Sequence, residues 1–250
     1  MSSQHHFILF NQLPLIYGRV PKVANTSIKA ALHRLLQQAP EKGARSTTDA
    51  FWSKSTHGET RLISPREARS LRGSHFSFSF VRNPFDRLVS AYNNKVLELD
   101  DVTGPMHAMG LRHDMPFGEF LHRVVETPDE QMDVHLLPQT SILCVDGKLI
   151  PSFVGQMEQM QSHWMSLQRR LRRERLPNLG AIPSKNVRRG DKRDDLRELF
   201  SDPGLVHLVI ERYGDDISTF YSKSDVQQLI SGEPLPLYPP IEPSVAGCVF

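Results

Sequence analysis

The sequence predicts an α/β fold, in which a parallel sheet is flanked by helices and the C-terminal third is mostly helical. Twice, over residues 15–38 and 76–99, an apolar strand-like segment runs through a short loop into an amphipathic helix. Strands joined by helical crossovers pair in parallel. Apolar residues also recur at helical spacing over 191–200 and 203–221. With 250 residues, 39% of them hydrophobic, the chain can form one domain with a full core.

The first strand–loop–helix unit lies near the N-terminus. Residues 7–20 are apolar and strand-like, and apolar side chains from Ile28 onward repeat at helical spacing. Each residue of 25–27 is a candidate N-cap for that helix. The polar segment 40–65 is predicted to be irregular, and SPREARSL at 64–71 predicts a short capped helix.

The second unit begins with FSFSFV at 76–81, where phenylalanine and serine alternate as in a strand. Pro84 suits the first turn of the following helix. Five apolar residues of this helix form one stripe: Phe85, Leu88, Val89, Tyr92 and Val96. A further strand is predicted at 149–154, before a long helix over about 157–176, and a proline-rich tail follows at 222–250. One domain over 1–250, with its core at about 7–221, is therefore predicted.

Charge and cysteine content exclude several classes of protein. The chain carries 30 Lys+Arg and 28 Asp+Glu, a net charge of +2, whereas nucleic-acid-binding domains have a larger basic excess. Its two cysteines, Cys144 and Cys248, are too few for a disulfide framework and fit a reducing compartment. The N-terminus has neither a cationic signal region nor a long apolar run. A cytoplasmic protein without an integral membrane segment is predicted.

The first motif with chemical content is RVPKVANTS at 19–27. A loop that leaves a strand and opens a helix gathers backbone N–H groups around one point, and the helix dipole favours an anion there. The candidate phosphate-binding residues are Arg19, Pro21, Lys22, Val23, Ala24, Asn25, Thr26 and Ser27. The loop lacks the GxxxxGK[ST] pattern. An ordinary capped turn with a solvated lysine remains an equal alternative.

The second motif is RNPFDRLVS at 82–90. Arg82 follows a buried strand, where a charged group needs a partner. Ser90 lies about two helical turns further on, so that one phosphate can contact both residues. The alternative is a structural Arg82–Asp86 pair with a solvated Ser90. Together, the two motifs suit a nucleotide with 5′ and 3′ phosphates.

These two motifs resemble those of the carbohydrate sulfotransferases. RVPKVANTS is similar to the family's 5′-phosphosulfate loop, and FVRNPFDRLVSAYNNK to its 3′-phosphate motif. The pattern fits the branch with the chondroitin 4-O-, HNK-1 and heparan or uronyl 2-O-sulfotransferases. Weaker similarities are LISPREARSL, FGEFL, VHLLPQ, FVGQME and VIERYGDDISTF. The resemblance extends from about Tyr17 to Tyr221. Because the animal members of the family are anchored in the Golgi, it implies a Golgi lumenal location if the chain is shortened.

The resemblance implies a P-loop-like sheet that binds PAPS, the sulfonate donor, and an in-line transfer that releases PAP. Lys22 would then neutralise the leaving phosphate, while Arg82 and Ser90 would hold the 3′-phosphate. Arg188 is a further candidate contact to that phosphate. The chain departs from the family at Gln156, where an arginine is common, and lacks the serine often found at position 188. No metal is required by this chemistry.

A general base must take the proton of the acceptor hydroxyl, and histidine suits neutral pH. The resemblance offers His57, at the position of the 2-O branch, and His135, at that of the chondroitin branch; His57 is preferred. His57 can equally lie in a mobile loop, and His135 can simply cap or pack. HExxH and CxxC patterns are absent, so no metal site is predicted.

The predicted acceptor is a carbohydrate. The run QRRLRRERL at 168–176 is either a solvated helix face, the preferred interpretation, or a docking strip for an anionic glycan. Two other functions remain open from the sequence: a nucleotide kinase on a similar scaffold, and a non-catalytic protein that binds PAP or PAPS.

Overall fold

A computed structural model of the chain describes residues 5–183 and 192–243, with the backbone alone over 192–195. It divides into two compact units. The sheet unit takes its described residues from Ser3–Val81, Ile142–Arg188 and Tyr238–Phe250, and the helical unit from Arg82–Ser141 and Arg189–Leu237. The single domain predicted from the sequence stays a prediction.

The secondary structure alternates between strands and helices in the N-terminal part, as predicted. The strands are β1 Phe7–Phe10, β2 Leu15–Gly18, β3 Thr60–Ile63, β4 Phe76–Val81, β5 Cys144–Val145, β6 Lys148–Leu149 and β7 Phe153–Gln156. The α-helices are α1 Asn25–Leu32, α2 Asp49–Lys54, α3 Pro65–Ser70, α4 Pro84–Tyr92, α5 Gly104–Ala108, α6 Phe117–Glu126, α7 Gln139–Leu143, α8 Met160–Arg173, α9 Lys192–Leu199, α10 Pro203–Phe220 and α11 Val226–Ser231. Short 3₁₀ segments are His33–Leu35, Asp129–Gln131, Met157–Gln159 and Lys223–Asp225, and a π-helical turn spans Asn93–Leu97.

The main sheet has five strands in the order β3-β1-β2-β4-β7. β2 and β7 each pair in parallel with β4, and Gly18 lies opposite Ser79. β2, β4 and β7 therefore end at one edge, called here the C-terminal edge, and begin at the opposite, N-terminal edge. Every residue of β4 is buried, as expected when helices cover both faces. The α/β prediction is confirmed.

One strand runs against the predicted direction. β1 pairs antiparallel with both β2 and β3. Only four residues, 11–14, join β1 to β2, and so short a connection permits a hairpin but no helical crossover. Four of the five strands thus share one direction, and β1 opposes them.

The segment 40–65 was predicted to be irregular, and this is wrong. It contains α2, whose first turn is capped by the Thr48 hydroxyl, and β3 at the end of the sheet. Both elements are short, six and four residues, so the polar sequence around them hides their apolar positions. Phe51 and Trp52 are buried on α2. The short helix predicted at 64–71 is confirmed as α3, with Ser64 as its N-cap.

The strand predicted at 149–154 lies further along the chain, as β7 at Phe153–Gln156. Pro151 has no N–H to donate and separates β6 from β7. Position 155 of β7 must be a glycine, because a Cβ there would lie 2.3 Å from Cε1 of Phe80. The long helix predicted after it is α8, shorter at both ends than expected.

The helical unit is built around the apolar stripe predicted for α4. Phe85, Leu88 and Val89 are buried there. Aromatic rings pack edge to face between α4, α6 and the end of α9, with Phe85 to Phe200 at 5.0 Å and Tyr92 to Phe117 at 5.1 Å between ring centroids. The predicted helices at 191–200 and 203–221 are confirmed as α9 and α10.

The predicted proline-rich tail is not irregular throughout. It contains α11, and Ile241 forms a backbone bridge with Val154 of β7. The six residues of α11 gave too short a pattern to be recognised from the sequence. Within the described ranges, no helix is long and apolar enough to cross a membrane.

Candidate active site

The first motif forms the connection from β2 to α1 at the C-terminal edge of the sheet. β2 ends at Gly18, and α1 begins at Asn25. The neighbouring parallel strand, β4, ends at Val81 at this edge and leads directly into the second motif. Ligands of α/β proteins bind at such strand ends.

The loop takes a tight path without any glycine. Lys22 and Ala24 have φ of 66° and 46°, in the left-handed region that costs an ordinary residue roughly 1–2 kcal/mol. Ala24 is the N-cap of α1 and has no side-chain cap, so the prediction of a cap at Asn25, Thr26 or Ser27 is wrong. Strained residues that persist are concentrated at functional sites.

The backbone of this loop offers hydrogen-bond donors. The Ser27 and Ile28 N–H groups donate to the Ala24 carbonyl, at 2.9 and 3.0 Å. The N–H groups of 23–26 have no acceptor among the described residues. Four such donors at the start of a helix form a site that favours an anion.

Tyr17 fixes the side chain of Asn25. Its hydroxyl donates to Asn25 Oδ1 at 2.7 Å, and its ring packs on Phe78 with 5.1 Å between centroids. Burial raises the pKa of Tyr17 above its ordinary value, so the phenol remains a donor at neutral pH. The amide nitrogen of Asn25 is left to donate to a ligand, while Ser27 itself is buried.

Arg19 has a different environment from the one predicted. Its guanidinium is buried and donates to Asp49 Oδ1 and to the carbonyl of His5. Lys29 of α1 donates to the same Asp49 oxygen at 3.1 Å. Asp49 therefore ties together the start of the loop and the helix that follows it. Arg19 supports the loop in this arrangement, and its contact with a ligand stays a prediction.

We expect the loss of the Asp49 charge to change the stability of the protein at acidic pH. Burial alone would raise the pKa of Asp49, but Arg19 and Lys29 outweigh it and lower that pKa below its ordinary value. A lowered folded-state pKa stabilises the protein above the unfolded value of about 3.9, and this stability disappears as pH falls through the folded-state pKa. Denaturant unfolding from pH 6 to 3 should show less loss of stability for Asp49→Asn than for the wild type. Equal pH dependence would contradict the role of Asp49.

The second motif holds Arg82 between two partners. Arg82 is buried and contacts Asp86 through two nitrogens, Nε at 2.8 Å and Nη2 at 2.7 Å. Its backbone N–H donates to Gln139 Oε1 at 2.9 Å, and its carbonyl accepts from Gln139 Nε2 at 2.8 Å. The Arg82–Asp86 pair named as the structural alternative is thus present, and it also fixes the direction of the guanidinium.

Gln139 is in turn held by Asp216 of α10. The buried Asp216 carboxylate accepts from the N–H groups of Gln139 and Thr140, both at 2.8 Å, and from the Thr140 hydroxyl at 2.9 Å. The Tyr213 hydroxyl donates to the Leu136 carbonyl at 2.6 Å in the same region. Asp216, on a helix far along the chain, therefore fixes the backbone of Arg82 through Gln139.

Ser90 lies on α4, one helical turn after Asp86. It is half-buried, and its hydroxyl has no hydrogen-bond partner among the residues that the structure describes. Both predicted residues of the second motif thus lie in the helical unit, and their roles stay predictions. Arg188 lies outside the described residues.

His135 is held by a buried carboxylate. Its Nδ1 lies 2.7 Å from Asp133 Oδ1, and its backbone N–H donates to the same oxygen at 2.9 Å. Asp133 is buried and also accepts from the Thr103 hydroxyl. Burial would raise the pKa of Asp133, but the hydrogen bonds from His135 outweigh it and lower that pKa. The carboxylate can only accept, so Nδ1 carries the proton and Nε2 is the basic nitrogen.

His57 lies away from the loop between β2 and α1. It precedes β3, whose first residue, Thr60, pairs with Phe10, and Phe10 pairs with Leu15, the first residue of β2. His57 is therefore at the N-terminal edge of the sheet, opposite the loop that holds Lys22. It is exposed, with φ of 51°, and Nε2 contacts the Ala39 carbonyl at 3.1 Å. Within the sheet unit, the structure does not bring His57 and Lys22 together.

Sequence reasoning missed four residues that position the others: Asp49, Asp133, Gln139 and Asp216. Gln139 and Asp216 fall in the segments VHLLPQ and VIERYGDDISTF, which carried the resemblance without a role. Asp133 lies two residues before His135 and could have been found as a carboxylate next to a candidate base. In the described parts of the chain, no three His, Cys, Asp or Glu side chains are grouped as metal ligands.

Comparison with known proteins gives a consistent family. A profile described as the sulfotransferase family matches residues 5–222. Carbohydrate sulfotransferase 14 of Danio rerio is 28% identical over 174 residues, 63% of this chain and 46% of that protein. The Homo sapiens protein of the same name is 28% identical over 172 residues, 63% of this chain and 44% of that one. Carbohydrate sulfotransferase 11 of Rattus norvegicus is 36% identical over 95 residues, 36% of this chain and 26% of that protein. The matches thus span less than half of the relatives' length, and no solved structure matches.

Proposed function

The chain belongs to the sulfotransferase family, and from that premise we propose that it transfers the sulfonate of PAPS to a hydroxyl of a carbohydrate. The loop between β2 and α1 supports the donor assignment, because four of its N–H groups lie at a helix N-terminus and have no acceptor among the described residues. The names of the relatives, carbohydrate sulfotransferases 14 and 11, support a carbohydrate acceptor.

In the proposed complex, the N–H groups of 23–26, the Asn25 amide and the Thr26 hydroxyl donate to the 5′-phosphosulfate. Pro21 supports the loop in front of Lys22. Arg82, already aligned by Asp86 and Gln139, and Ser90, with its hydroxyl available, bind the 3′-phosphate. Arg188 remains a proposed third contact to that phosphate.

His135 is the proposed general base. Nε2 takes the proton of the acceptor hydroxyl, and the acceptor oxygen forms a bond to sulfur as the bond from sulfur to the phosphate oxygen breaks. Asp133 holds the imidazole in the required tautomer and stabilises its charged form. The products are the sulfated sugar and PAP, and the proton leaves later from His135.

Lys22 would act on the other side of the reacting sulfur. Negative charge grows on the leaving phosphate oxygen as the S–O bond breaks, and an ammonium group nearby stabilises it. No metal ion is needed in this proposal, because protein side chains supply the charge. The cytoplasmic location also stays a prediction, to be tested by cell fractionation.

Transfer of radiolabelled sulfonate tests the proposal. The purified protein is incubated with [³⁵S]PAPS and, in parallel, with desulfated chondroitin, dermatan, heparosan and p-nitrophenol. We expect label in at least one polysaccharide. Label in p-nitrophenol alone would contradict the carbohydrate acceptor, and no consumption of PAPS with any acceptor would contradict the transferase itself.

A further inference from the structure

The last two turns of α8 carry an exposed group of arginines. Arg169, Arg172 and Arg173, called here the arginine face, have the i, i+3 and i+4 spacing that places side chains on one side of a helix. His163, Trp164, Leu167 and Leu171 occupy the buried side. All three arginines of the face are exposed.

In the described part of the chain, no acidic side chain neutralises the arginine face. Glu174 and Glu242 both pair with Arg170, at 2.8 and 2.5 Å. Among the described residues, no carboxylate lies within ion-pair distance of the face itself. Arg169 donates to the Ser166 hydroxyl, at 3.1 Å. The helix dipole explains one or two cations in a last turn, but not a whole face of them.

Arg175 gives a second observation. Two backbone hydrogen bonds close the end of α8. The Leu176 N–H donates to the Leu171 carbonyl at 2.9 Å, and the Arg175 N–H donates to the Arg172 carbonyl at 3.1 Å. This is the pattern in which glycine is usual at the left-handed position. Here that position is Arg175, with φ of 57°. The left-handed backbone of Arg175 strains the end of the helix, and its side chain contacts no described carboxylate. Both observations are explained if that side chain binds a ligand.

The arginine face is separate from the loop between β2 and α1. The Arg170 guanidinium lies over the ring of Phe76, the first residue of β4, at 5.7 Å from its centroid. Trp164, earlier in α8, packs on Phe80 near the other end of β4. α8 thus descends from the C-terminal to the N-terminal edge of the sheet, about 17 Å away for six residues of strand.

We propose that the arginine face and Arg175 form an accessory site for an anionic polysaccharide. The choice of a carbohydrate rests on the proposed function. The site implies that the acceptor is a polymer with carboxylate or sulfate groups, bound away from the reacting sugar. Arginine suits this ligand because its planar fork pairs with a carboxylate or sulfate through two hydrogen bonds. The run from 169 to 175 contains five arginines and no lysine.

A nucleic acid fits this surface less well. Single strands bind where aromatic side chains alternate with basic ones, and the exposed side of α8 carries Ser162, Met165 and Ser166 beside the arginines. The net charge of +2 also provides no wider basic field around the face.

Binding to immobilised desulfated chondroitin at about 0.1 M salt tests the site. Arg172→Gln/Arg173→Gln should weaken binding about tenfold or more, and salt should remove the difference. The control Arg45→Gln/Lys54→Gln changes two exposed cations elsewhere and should bind like the wild type. Arg175→Gly should raise Tm yet weaken binding, a combination that a purely structural arginine would not give.

The proposal is wrong if both double variants bind chondroitin alike, or if Arg175→Gly leaves binding unchanged. It is also wrong if poly(U) RNA or phosphatidylserine vesicles bind more tightly than chondroitin through these arginines at the same salt. Titration of each sample with PAP separates this result from the proposed function. Normal PAP binding without chondroitin binding would contradict the accessory site alone. Chondroitin binding without PAP binding would contradict the donor assignment but not the accessory site.

Discussion

Lys22→Met should lower kcat by about 10²–10³-fold and change the Kd for PAP by less than about tenfold. Methionine keeps the length and volume of the side chain without the charge. That charge stabilises the leaving phosphate oxygen more in the transition state than in the bound donor, so its loss appears in turnover. Initial rates with saturating PAPS, together with calorimetric titration of PAP, separate the two quantities.

Lys42→Met is the matched control, because Lys42 is an exposed lysine that belongs to neither motif. It should leave both quantities unchanged. Tm must be similar in both variants, since Lys22 has a strained backbone with φ of 66°. Wild-type turnover in a folded Lys22→Met protein would contradict the role of Lys22 at the leaving group.

His135→Asn should lower kcat by about 10²–10⁴-fold, the usual contribution of a general base. Asparagine can still hydrogen-bond to Asp133 but cannot take a proton at neutral pH. Asp133→Asn should cause a smaller loss, because it disturbs the orientation of the imidazole but keeps the base.

Two other histidine variants make the comparison decisive. His122→Asn changes an exposed histidine of α6 and should retain wild-type kinetics. His57→Asn tests the base preferred from the sequence, which the structure describes at the opposite edge of the sheet from Lys22. A large loss of kcat in His57→Asn with normal turnover in His135→Asn would reverse the assignment.

The elements that the sequence predicted are those with local patterns. The alternation in FSFSFV indicates a strand. The apolar stripe of α4 lies within a single helix, so consecutive residues are enough to recognise it. The direction of β1 was not predicted, because apolar residues look alike in parallel and antiparallel strands. Only the four-residue connection between β1 and β2 indicates that these two strands are antiparallel.

The candidate site was predicted in its chemical groups but not in its supports. Lys22, Arg82 and Ser90 stand in motifs of consecutive residues. The partners that hold the motifs come from elsewhere: Asp49 lies 30 residues after Arg19, and Asp216 lies 77 residues after Gln139. Such pairs exist only once the chain is folded, so no local pattern indicates them.

The left-handed backbone of the loop was equally hidden. The sequence offered three side chains suited to an N-cap, and each is a better cap than alanine. In the structure α1 instead begins after Ala24, and Lys22 and Ala24 ahead of it are both left-handed. Local propensity was overruled at the position where a ligand-binding loop is proposed.

Calorimetric titration of the purified protein with PAP, with ATP plus Mg²⁺ and AMP as controls, tests the central claim most directly. The proposed donor site requires both phosphate motifs, so PAP should bind with micromolar Kd while AMP, which lacks the 3′-phosphate, binds far more weakly. ATP binding without PAP binding would favour the kinase alternative. No binding of PAP by protein shown to be folded would contradict the donor site and the function built on it.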